Sequence, residues 1–439
     1  MRGHYYITTM GCQMNAYDSD YLGQLLMNSD LHPTNDPRRA NLILINTCTV
    51  RAKAEQKAYS QLGRMLNLKH RNPNVILGVM GCIAQQEGAK LLKRFPALDM
   101  VLGTRELGRI PELLERIEAT QERIVATEID TDLKPPPPLS DRRYFSGRVK
   151  GYVSIMEGCN NFCSYCIVPH VRGREISRPL DEILEETNNL VAQGLKEITL
   201  LGQNVNSYHV ADQDTSAFPH LLERLSSLEG LIRVRFTTSH PKDLSDEVIH
   251  CFKELPNLCP HLHLPVQAGS NSVLRAMNRG YTREHYMALV ARLRDVRPDV
   301  ALTSDVIVGF PGETEEDYEL TLDLIRKMEF DTIFSFKYSD RKETPAARLN
   351  NKIDEKTKSS RLSILQDIQR NITLKKNKAL EGSQVEILVE GPSRRGGQLM
   401  GRTATNKIVN FNTKNIVLGE LIHVKIKRAF VNSLWAEPL

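Results

Sequence analysis

The first 120 residues alternate short apolar runs with longer amphipathic stretches. The predicted pairs of strand and helix are His4 to Thr9 with Asn15 to Met27, Asn41 to Asn46 with Arg51 to Leu66, Val75 to Met80 with Ala84 to Arg94, and a strand near Met100 with a helix from Arg105. Such alternation is typical of a parallel sheet covered by helices. The pattern therefore predicts a small doubly wound α/β domain over residues 1–120.

A proline run ends this first segment. Residues 121–142 include Pro135 to Pro138, preceded by the polar stretch Asp130 to Lys134. Consecutive prolines favour an extended, semi-rigid chain without internal hydrogen bonds. We predict a linker over residues 121–142 and a second domain over residues 143–378.

The alternation of strand and helix resumes after the linker. Strands are predicted at Gly151 to Met156, Glu197 to Leu201, Ile232 to Thr237, His261 to Leu264, Val300 to Val308 and Asp331 to Tyr338, and a helix is predicted between Pro179 and Gly194. Roughly six parallel βα units are too few to close an eight-stranded barrel. They predict a partial, open (β/α)6 barrel whose functional site lies at the carboxyl ends of its strands.

The last segment, residues 379–439, changes to a strand pattern. Gln384 to Glu390, Gln398 to Phe411 and Leu421 to Ser433 are β-rich runs separated by glycine and asparagine. Short strands with such turn residues predict a small antiparallel β-barrel.

This last segment is also basic. From Gly391 onward it carries Glu420 and Glu437 against eight basic residues, namely Arg394, Arg395, Arg402, Lys407, Lys414, Lys425, Lys427 and Arg428. Phe411 and Phe430 are candidate stacking faces. Clustered cations with aromatic residues favour a nucleic-acid-binding module, and a merely solvated basic face is the alternative.

Composition narrows the class of protein. The 439 residues are 41% hydrophobic and 25% charged, with a formal net charge of +5. No run of apolar residues is long enough to span a membrane, and the start of the chain lacks the regions of a signal peptide. The eight cysteines are too sparse for a disulfide scaffold. We therefore expect a cytoplasmic protein whose cysteines bind metal.

Three cysteines are the strongest chemical signal. Cys159, Cys163 and Cys166 follow the predicted strand at Gly151 in one short loop. Three thiolates can ligate three irons of a [4Fe–4S] cube and leave the fourth iron open for another ligand. Zinc is the alternative, because His170 completes a possible Cys3His set. Iron is favoured, since zinc sites usually take their ligands from two separated pairs.

A second triad lies in the first domain. Cys12, Cys48 and Cys82 each come directly beyond one of the first three predicted strands. Ligand sites in open parallel sheets form outside the carboxyl ends of the strands, so these thiols are expected to converge there. A single cysteine in such a place is usually a small buried hydrophobe, but three equivalent placements predict a second cluster.

Several local strings together carry a family resemblance. They are the stretches that begin Gly158-Cys-Asn-Asn-Phe-Cys, Arg172-Gly-Arg-Glu-Ile-Ser, Leu201-Gly-Gln-Asn-Val-Asn, His263-Leu-Pro-Val-Gln-Ala, Met277-Asn-Arg-Gly-Tyr and Asp305-Val-Ile-Val-Gly-Phe. In this order, and over nearly the whole chain, the sequence resembles the radical S-adenosylmethionine (SAM) methylthiotransferases. His170 and Ser164 stand where that family more often has Tyr and Thr.

The resemblance implies an architecture and its cofactors. It implies an N-terminal domain with an auxiliary [4Fe–4S] cluster on Cys12, Cys48 and Cys82, and a radical SAM partial barrel with a SAM-binding cluster on Cys159, Cys163 and Cys166. It also implies a C-terminal RNA-binding TRAM domain, in which the candidate RNA contacts are Arg394, Arg395, Arg402, Lys425 and Lys427. Two SAM molecules per turnover are expected, one as radical source and one as methyl donor.

The resemblance also implies a reaction. The strings at Arg172 and Asn204 look like the subgroup that adds a methylthio group to C2 of N6-(dimethylallyl)adenosine at position 37 of tRNA. Sister subgroups act on threonylcarbamoyl-adenosine in tRNA or on an aspartate of a ribosomal protein. The expected partners are tRNA and an electron donor such as a flavodoxin or ferredoxin, and the enzyme is expected to be a monomer. A non-catalytic, zinc-stabilised RNA-binding protein is the alternative of another class.

Further candidates lie at the predicted barrel rim. Gly309, Pro311 and Gly312 form a tight turn before the capping box Thr314 to Asp317, and the resemblance implies that this turn approaches SAM. Gln203, Asn204 and Gln267 are amides that can bind SAM or the base edge, or serve only as loop hydrogen-bonders. Arg172, Arg174 and Arg178 are candidates for cofactor carboxylate or RNA phosphate, with surface charge as the alternative. Cys251 and Cys259 are expected in the core.

Overall fold

The protein is described from a computed structural model. The structure describes residues 3–49, 52–129, 144–145, 147–210, 217–393, 396–413 and 417–439, and the side chains of 52–54 are not described. The predicted linker from Asp130, the start of the second domain at Arg143, the candidate RNA contacts Arg394 and Arg395, and Lys414 lie outside the described residues. Of the helices in the described ranges, none combines the length and apolar character that a membrane span needs.

The N-terminal segment forms a six-stranded parallel sheet with helices. Its elements are β1 (Gly3–Thr9), α1 (Gln13–Asn28), β2 (Leu31–Pro33), β3 (Leu42–Thr47), α2 (Ala52–Arg71), β4 (Ile76–Gly81), α3 (Cys82–Glu87), α4 (Ala89–Arg94), β5 (Met100–Leu102), α5 (Ile110–Thr120) and β6 (Ile124–Ala126). The strand order is β2-β1-β3-β4-β5-β6. Every residue of β3 and β4 is buried, as expected for central strands covered on both faces. The order is that of a doubly wound fold, as predicted.

The middle segment supplies six parallel strands in two sheets. Its elements are β7 (Lys150–Ser154), β8 (Met156–Glu157), α6 (Val168–Val171), β9 (Ile176–Ser177), α7 (Leu180–Ala192), β10 (Glu197–Leu201), α8 (Phe218–Ser226), β11 (Arg233–Phe236), α9 (Asp246–Glu254), β12 (His261–His263), α10 (Asn271–Ala276), α11 (Arg283–Val296), β13 (Ala301–Val308), α12 (Glu315–Met328), β14 (Thr332–Lys337) and α13 (Glu355–Lys378). The sheet orders are β11-β10-β7 and β12-β13-β14, and one parallel bridge joins Val234 of β11 to Leu258 before β12. This is the predicted open barrel.

The C-terminal segment is a closed five-stranded barrel. Its strands are β15 (Gln384–Pro392), β16 (Leu399–Thr403), β17 (Ile408–Phe411), β18 (Leu421–Ala429) and β19 (Leu434–Pro438), in the order β15-β16-β17-β19-β18. Four pairings are antiparallel, whereas β17 and β19 run parallel. The barrel was predicted, but its parallel pair was not.

Two helix predictions for the N-terminal segment need correction. The single helix predicted over Ala84 to Arg94 is the two helices α3 and α4, which break at Gly88, where φ is +49°. A positive φ cannot be accommodated within a right-handed helix. The helix predicted from Arg105 begins only at Ile110, after a short 3-10 turn.

The strand predictions for the C-terminal segment also differ from the structure. The run Gln398 to Phe411 is two strands, β16 and β17, because the chain turns at Asn406 with φ of +70°. The run Leu421 to Ser433 ends as a strand at Ala429. The last strand, β19, was missed because it is short and follows without a glycine or proline.

The chain divides into two compact units. One comprises residues 1–144, 152–160 and 167–189, and the other comprises residues 145–151, 161–166 and 190–439. The predicted division into domains at residues 120, 142 and 378 stays a prediction. Cys251 and Cys259 are buried in the second unit, in agreement with their expected place in the core.

Candidate metal centres

The structure brings Cys12, Cys48 and Cys82 to one edge of the N-terminal sheet. Cys12 follows β1, Cys48 follows β3 directly and Cys82 opens α3 after β4, and these three strands are neighbours. The thiols of Cys12 and Cys48 are hydrogen-bonded, and Cys82 is close enough to interact electrostatically with Cys12. Cys12 is exposed, whereas Cys48 and Cys82 are buried. The edge is thus closed on one side and open on the other, as a site for a bound group requires.

A buried amide network supports this edge. Asn15 Nδ2 donates to Asn46 Oδ1 at 2.8 Å, and Asn46 Nδ2 donates to the Asn15 carbonyl at 2.8 Å. The backbone N–H of Cys12 donates to Asn15 Oδ1 at 3.2 Å. Both asparagines are fully buried. They hold the start of α1 against the end of β3 next to the thiols. This role was not predicted, because single asparagines carry no sequence pattern.

Arg172 interacts with two of these three cysteines, Cys12 and Cys82. Its guanidinium donates to Asp18 Oδ2 at 2.6 Å, contacts Glu157 Oε1 at 3.4 Å and hydrogen-bonds the Cys82 thiol. The hydrogen bond from Cys48, supported by the charge of Arg172, lowers the pKa of Cys12 to about 5, and this outweighs the opposing effect of burial. Cys12 is therefore biased toward the thiolate, the form that binds metal. Burial acts in the other direction on Cys82 and raises the pKa of its thiol.

Two arginines of the Arg172-Gly-Arg-Glu-Ile-Ser-Arg string are buried in ion pairs. Arg172 is 3% exposed and pairs with Asp18, and Arg178 is 2% exposed and donates to Glu186 Oε2 at 2.6 Å. The surface-charge alternative is therefore wrong for them, because both are buried and paired inside the protein. Their contact with cofactor carboxylate or RNA phosphate stays a prediction. Arg174 is exposed.

The second triad lies on the loop after β8. Gly158 stands at the start of this loop with a φ of +78°, and a Cβ on it would lie 2.0 Å from the Arg174 carbonyl oxygen. The backbone N–H of Cys159 donates to the Gly173 carbonyl at 3.2 Å. The N–H of Cys166 donates to the Cys163 carbonyl at 2.9 Å and closes a turn. Each thiol-bearing residue is therefore held through its backbone.

The segment after α10 supports the middle of this loop. Ser164 donates its hydroxyl to the Ala276 carbonyl at 2.8 Å and its N–H to the Met277 carbonyl at 3.0 Å. Asn278 Nδ2 donates to the Phe162 carbonyl at 3.1 Å. The hydroxyl and the N–H of Ser164 therefore both fix the loop.

Arg279 meets a cysteine of this loop directly. Its Nη1 donates to Cys163 Sγ at 3.2 Å, and both side chains are buried. No carboxylate pairs with Arg279 within the described part of the chain, so this buried cation requires an anion that the thiolate of Cys163 can supply. The residues present therefore fit an anionic iron–sulfur group. Arg279 belongs to the Met277-Asn-Arg-Gly-Tyr string that carries the family resemblance, but its contact with Cys163 was not predicted.

A single metal ion does not fit either triad. Among the residues with described positions, no group of three or more His, Cys, Asp or Glu side chains is placed to hold one ion. His170, the fourth ligand of the zinc alternative, is exposed. A [4Fe–4S] cluster does not need such convergence, because each thiolate ligates a different iron.

Three of the candidate SAM contacts, Asn204, Gln267 and Gly309, contact other parts of the protein. Asn204 is buried, and its Nδ2 donates to Asp243 Oδ2 at 2.7 Å, while its Oδ1 has no hydrogen-bond partner among the described residues. Gln267, with φ of +71°, continues the pairing with β13 through its backbone. Gly309 packs against α13, where a Cβ would lie 2.2 Å from Lys358 Cγ.

The remaining SAM candidates lie on the turn after β13 and on the loop after β10. Pro311 is buried, Gly312 donates its N–H to the Asn351 carbonyl at 2.7 Å, and Gln203 is half-buried. The predicted capping box is present, because the hydroxyl of Thr314 and the carboxylate of Asp317 each accept a hydrogen bond from the other's backbone N–H. All six SAM contacts stay predictions.

The basic residues of the C-terminal barrel fall into two groups. Arg402 Nε donates to Glu390 Oε1 at 2.9 Å, and Lys407 Nζ lies 2.9 Å from Asp331 Oδ1, so these two are partly buried in ion pairs. The RNA contact of Arg402 stays a prediction. The exposed cations lie on β18, where a bulge between Ile426 and Arg428 places successive basic residues outside. They are Lys425, Lys427 and Arg428.

The two candidate stacking rings also differ. Phe411 is fully buried in the barrel core, so its predicted role as a stacking face is wrong. Phe430 is 43% exposed, and the guanidinium of Arg428 lies 5.0 Å from its ring centroid. The outer face of β18 thus combines cations with one exposed aromatic ring.

Comparison with known proteins agrees with this architecture. Three family models match the chain: "Uncharacterized protein family UPF0004" over residues 4–103, "Radical SAM superfamily" over residues 153–325 and "TRAM domain" over residues 378–439. A solved structure of the radical SAM methyltransferase TsrM from Kitasatospora setae has a similar fold, with a TM-score of 0.58 at 16% sequence identity. The match covers 79% of this chain and 77% of the TsrM chain.

Close relatives cover the full chain. The tRNA-2-methylthio-N(6)-dimethylallyladenosine synthase of Syntrophus aciditrophicus is 48% identical over 439 residues, which is 99% of this chain and 94% of the relative. The synthase of the same name from Geobacter metallireducens is 50% identical, over 98% of this chain and 97% of the relative. With two cysteine triads, an open barrel and a basic C-terminal barrel in place, the chain belongs to the radical SAM family of tRNA-2-methylthio-N(6)-dimethylallyladenosine synthases.

Proposed function

We propose that this protein adds a methylthio group to C2 of N6-(dimethylallyl)adenosine at position 37 of tRNA. The observation that carries the proposal is the presence of two separate cysteine triads, each beside a buried arginine, in a chain related over its full length to such synthases. The C2–H bond of an adenine has no acidity that a side-chain base can use, so its replacement requires a radical route.

The residues divide the work between two sites. In this proposal, Cys159, Cys163 and Cys166 hold the cluster that binds SAM, and Cys12, Cys48 and Cys82 hold the auxiliary cluster that serves sulfur transfer. When bound, the clusters and SAM supply the radical, the sulfur and the methyl group. The protein positions the cysteine ligands, and Asn15, Asn46 and Arg172 fix the surroundings of the cysteines of the auxiliary site.

The first experiment counts the clusters. Iron, sulfide and the visible spectrum would be measured on anaerobically reconstituted wild type and on two triple alanine variants, one for each triad. About eight irons in the wild type should fall to about four in each variant. Zinc without sulfide would instead leave only an RNA-binding protein.

A second experiment separates the roles of the clusters. Cys163→Ala should abolish SAM cleavage, whereas Cys48→Ala should spare SAM cleavage and stop sulfur insertion into tRNA. Assays with tRNA and with ribosomal protein side by side test the substrate. Equal loss of both activities in the two variants would contradict the division, and modification of protein but not tRNA would contradict the substrate.

The outer face of β18 is the proposed tRNA contact. Each phosphate contact that is lost reduces the dependence of binding on salt, so replacing Lys425 and Lys427 by Ala should weaken tRNA binding and lower the slope of log K against log salt by about 1–2. Lys253→Ala is the matched control, because this exposed lysine lies on α9, outside the C-terminal barrel. An unchanged slope would place the RNA contact elsewhere, with Arg394 and Arg395 as the next candidates.

The other partners belong to the same proposal. Reduction of the SAM-binding cluster requires a one-electron donor such as a flavodoxin or ferredoxin. We further propose that the enzyme acts in the cytoplasm, where its tRNA substrate is found, and that it acts as a monomer.

A further inference from the structure

Buried arginines in this protein are almost always paired with carboxylates. Seven arginines are less than 9% exposed in the part of the chain that the structure describes. Six of them lie within 4.0 Å of an Asp or Glu, namely Arg172, Arg178, Arg233, Arg235, Arg283 and Arg361. The seventh, Arg279, is 5% exposed and has no such partner among those residues. Its charge therefore requires another explanation.

The guanidinium of Arg279 donates to two neutral groups and one thiol. Its Nη2 donates to the Pro265 carbonyl at 2.8 Å, its Nε donates to Tyr281 Oη at 3.1 Å, and its Nη1 donates to Cys163 Sγ at 3.2 Å. Tyr281 Oη in turn donates to the Val266 carbonyl at 2.8 Å, and the ring centroid of Tyr281 lies 5.3 Å from the guanidinium carbon. The guanidinium is thus held in one orientation, with its Nη1 directed at the sulfur of Cys163.

The energetics indicate a missing anion. A buried cation is costly unless it is paired, and polar contacts with carbonyl and hydroxyl oxygens compensate only part of that cost. Cys163 supplies a full negative charge only as a thiolate, the form in which it ligates iron. An iron–sulfur cluster on Cys159, Cys163 and Cys166 would spread that negative charge over its sulfurs.

We propose that Arg279 is a positioning residue that serves as the fixed counter-cation of the SAM-binding cluster and sets its reduction potential. The proposal rests on the assignment of Cys163 as a cluster ligand. One-electron reduction adds a negative charge to the cluster without adding a proton. A guanidinium hydrogen-bonded to a ligand sulfur stabilises the reduced form more than the oxidised form, and so makes the electron easier to accept.

The test is a redox titration of Arg279→Gln. Anaerobic full-length protein would be titrated with dithionite as the electron source, followed by the electron paramagnetic resonance signal that changes when SAM is added. The variant should be at least tenfold harder to reduce, which is a shift of 59 mV to lower potential for one electron. Iron and sulfide content report separately on cluster assembly.

Arg283→Gln is the matched control. Arg283 is also buried and lies four positions further on, but it pairs with Asp323 and donates to the Gly269 carbonyl, with no sulfur contact. Its removal should leave the potential of the SAM-sensitive signal unchanged. An equal shift in both variants would overturn the proposal, because it would reflect general loosening of the barrel.

Arg279→Lys keeps the proposal testable if the Gln variant loads poorly. Lysine retains the charge but not the fork of donors, so its iron content should stay near that of the wild type and its potential should lie between those of wild type and Gln variant. A lysine variant as poor in iron as the Gln variant, or a Gln variant with unchanged potential, would overturn the proposal. If Cys163→Ala keeps all its iron, the ligand assignment itself fails.

Discussion

Asp331 joins the open barrel to the C-terminal barrel through Lys407, and it also pairs with Lys376. Its Oδ1 lies 2.9 Å from Lys407 Nζ, which precedes β17, and its Oδ2 lies 2.5 Å from Lys376 Nζ on α13. Lys407 also donates to Asn377 Oδ1 at 2.9 Å. The Asp331 side chain is 9% exposed. Because it pairs with both lysines, Asp331→Ala would leave each of them without its main partner.

The expected loss of stability follows from this burial. Removing one partner of a fully buried ion pair costs about 3–5 kcal/mol. Lys407 and Lys376 are 16% and 27% exposed, so they can recover part of their hydration in the variant. We therefore expect a loss of about 2–3 kcal/mol, intermediate between buried and surface pairs.

The single tryptophan makes the measurement selective. Trp435 lies on β19, so its fluorescence reports on the C-terminal barrel. Urea unfolding would be followed for wild type, Asp331→Ala, Lys407→Met and the double variant. The two single changes should be less than additive, because the double variant leaves no unpaired Lys407. Strict additivity, or a loss below about 0.5 kcal/mol for Asp331→Ala, would refute the reasoning.

The pH dependence provides a second check on the same group. Burial acts to raise the pKa of Asp331, but Lys407 and Lys376 outweigh it and lower this pKa below its usual value. A carboxyl whose pKa is lowered on folding contributes stability above its unfolded pKa of about 3.9 and loses that contribution as pH falls through the folded pKa. The difference between wild type and Asp331→Ala should therefore be largest near neutral pH and shrink below pH of about 3.9.

Three further predictions concern a histidine, a glycine pair and a phenylalanine pair. Burial lowers the pKa of His261 to about 3. The free energy of unfolding should therefore fall by about 1.4 kcal/mol per pH unit as the pH drops below about 6.5, because the unfolded chain then binds a proton that the folded chain does not. His261→Gln should remove this fall from the acid side of a profile of urea stability against pH. Gly158→Ala should lose iron from the SAM-binding loop, whereas Gly147→Ala, with the same φ of +78° but open space around it, should not. Phe430→Ala should weaken tRNA binding by about 1–3 kcal/mol without changing the Trp435 transition, and Phe411→Ala should instead destabilise the barrel. A Phe430 variant that binds tRNA as the wild type does would remove this ring from the interface.

Local patterns in the sequence were enough for the architecture. Strands β3 and β4 are nearly continuous apolar runs, because a strand covered on both faces has no solvent-facing polar side. The cysteines of the SAM-binding loop are neighbours in sequence. The convergence of Cys12, Cys48 and Cys82 followed from a topological rule, since adjacent parallel strands end at one edge of a sheet.

The polar partners were decided only by the tertiary structure. Arg172 and Asp18 are 154 positions apart, Arg279 and Cys163 are 116 apart, and Lys407 and Asp331 are 76 apart. Periodicity records which face of a helix or strand is buried, but it holds no information about which distant charge meets another. Composition therefore counted Lys407 and Arg402 as candidates for nucleic acid, whereas folding places both in internal ion pairs.

The sequence by itself thus determined the fold class, the two cysteine triads and the basic character of the last segment, because these depend on residue type and local spacing. Only the tertiary structure decided which cations remain on the outer face of β18 and which one lies against Cys163. The physical reason is that a buried charge must find its partner in space, and that partner is chosen by the packing of whole elements.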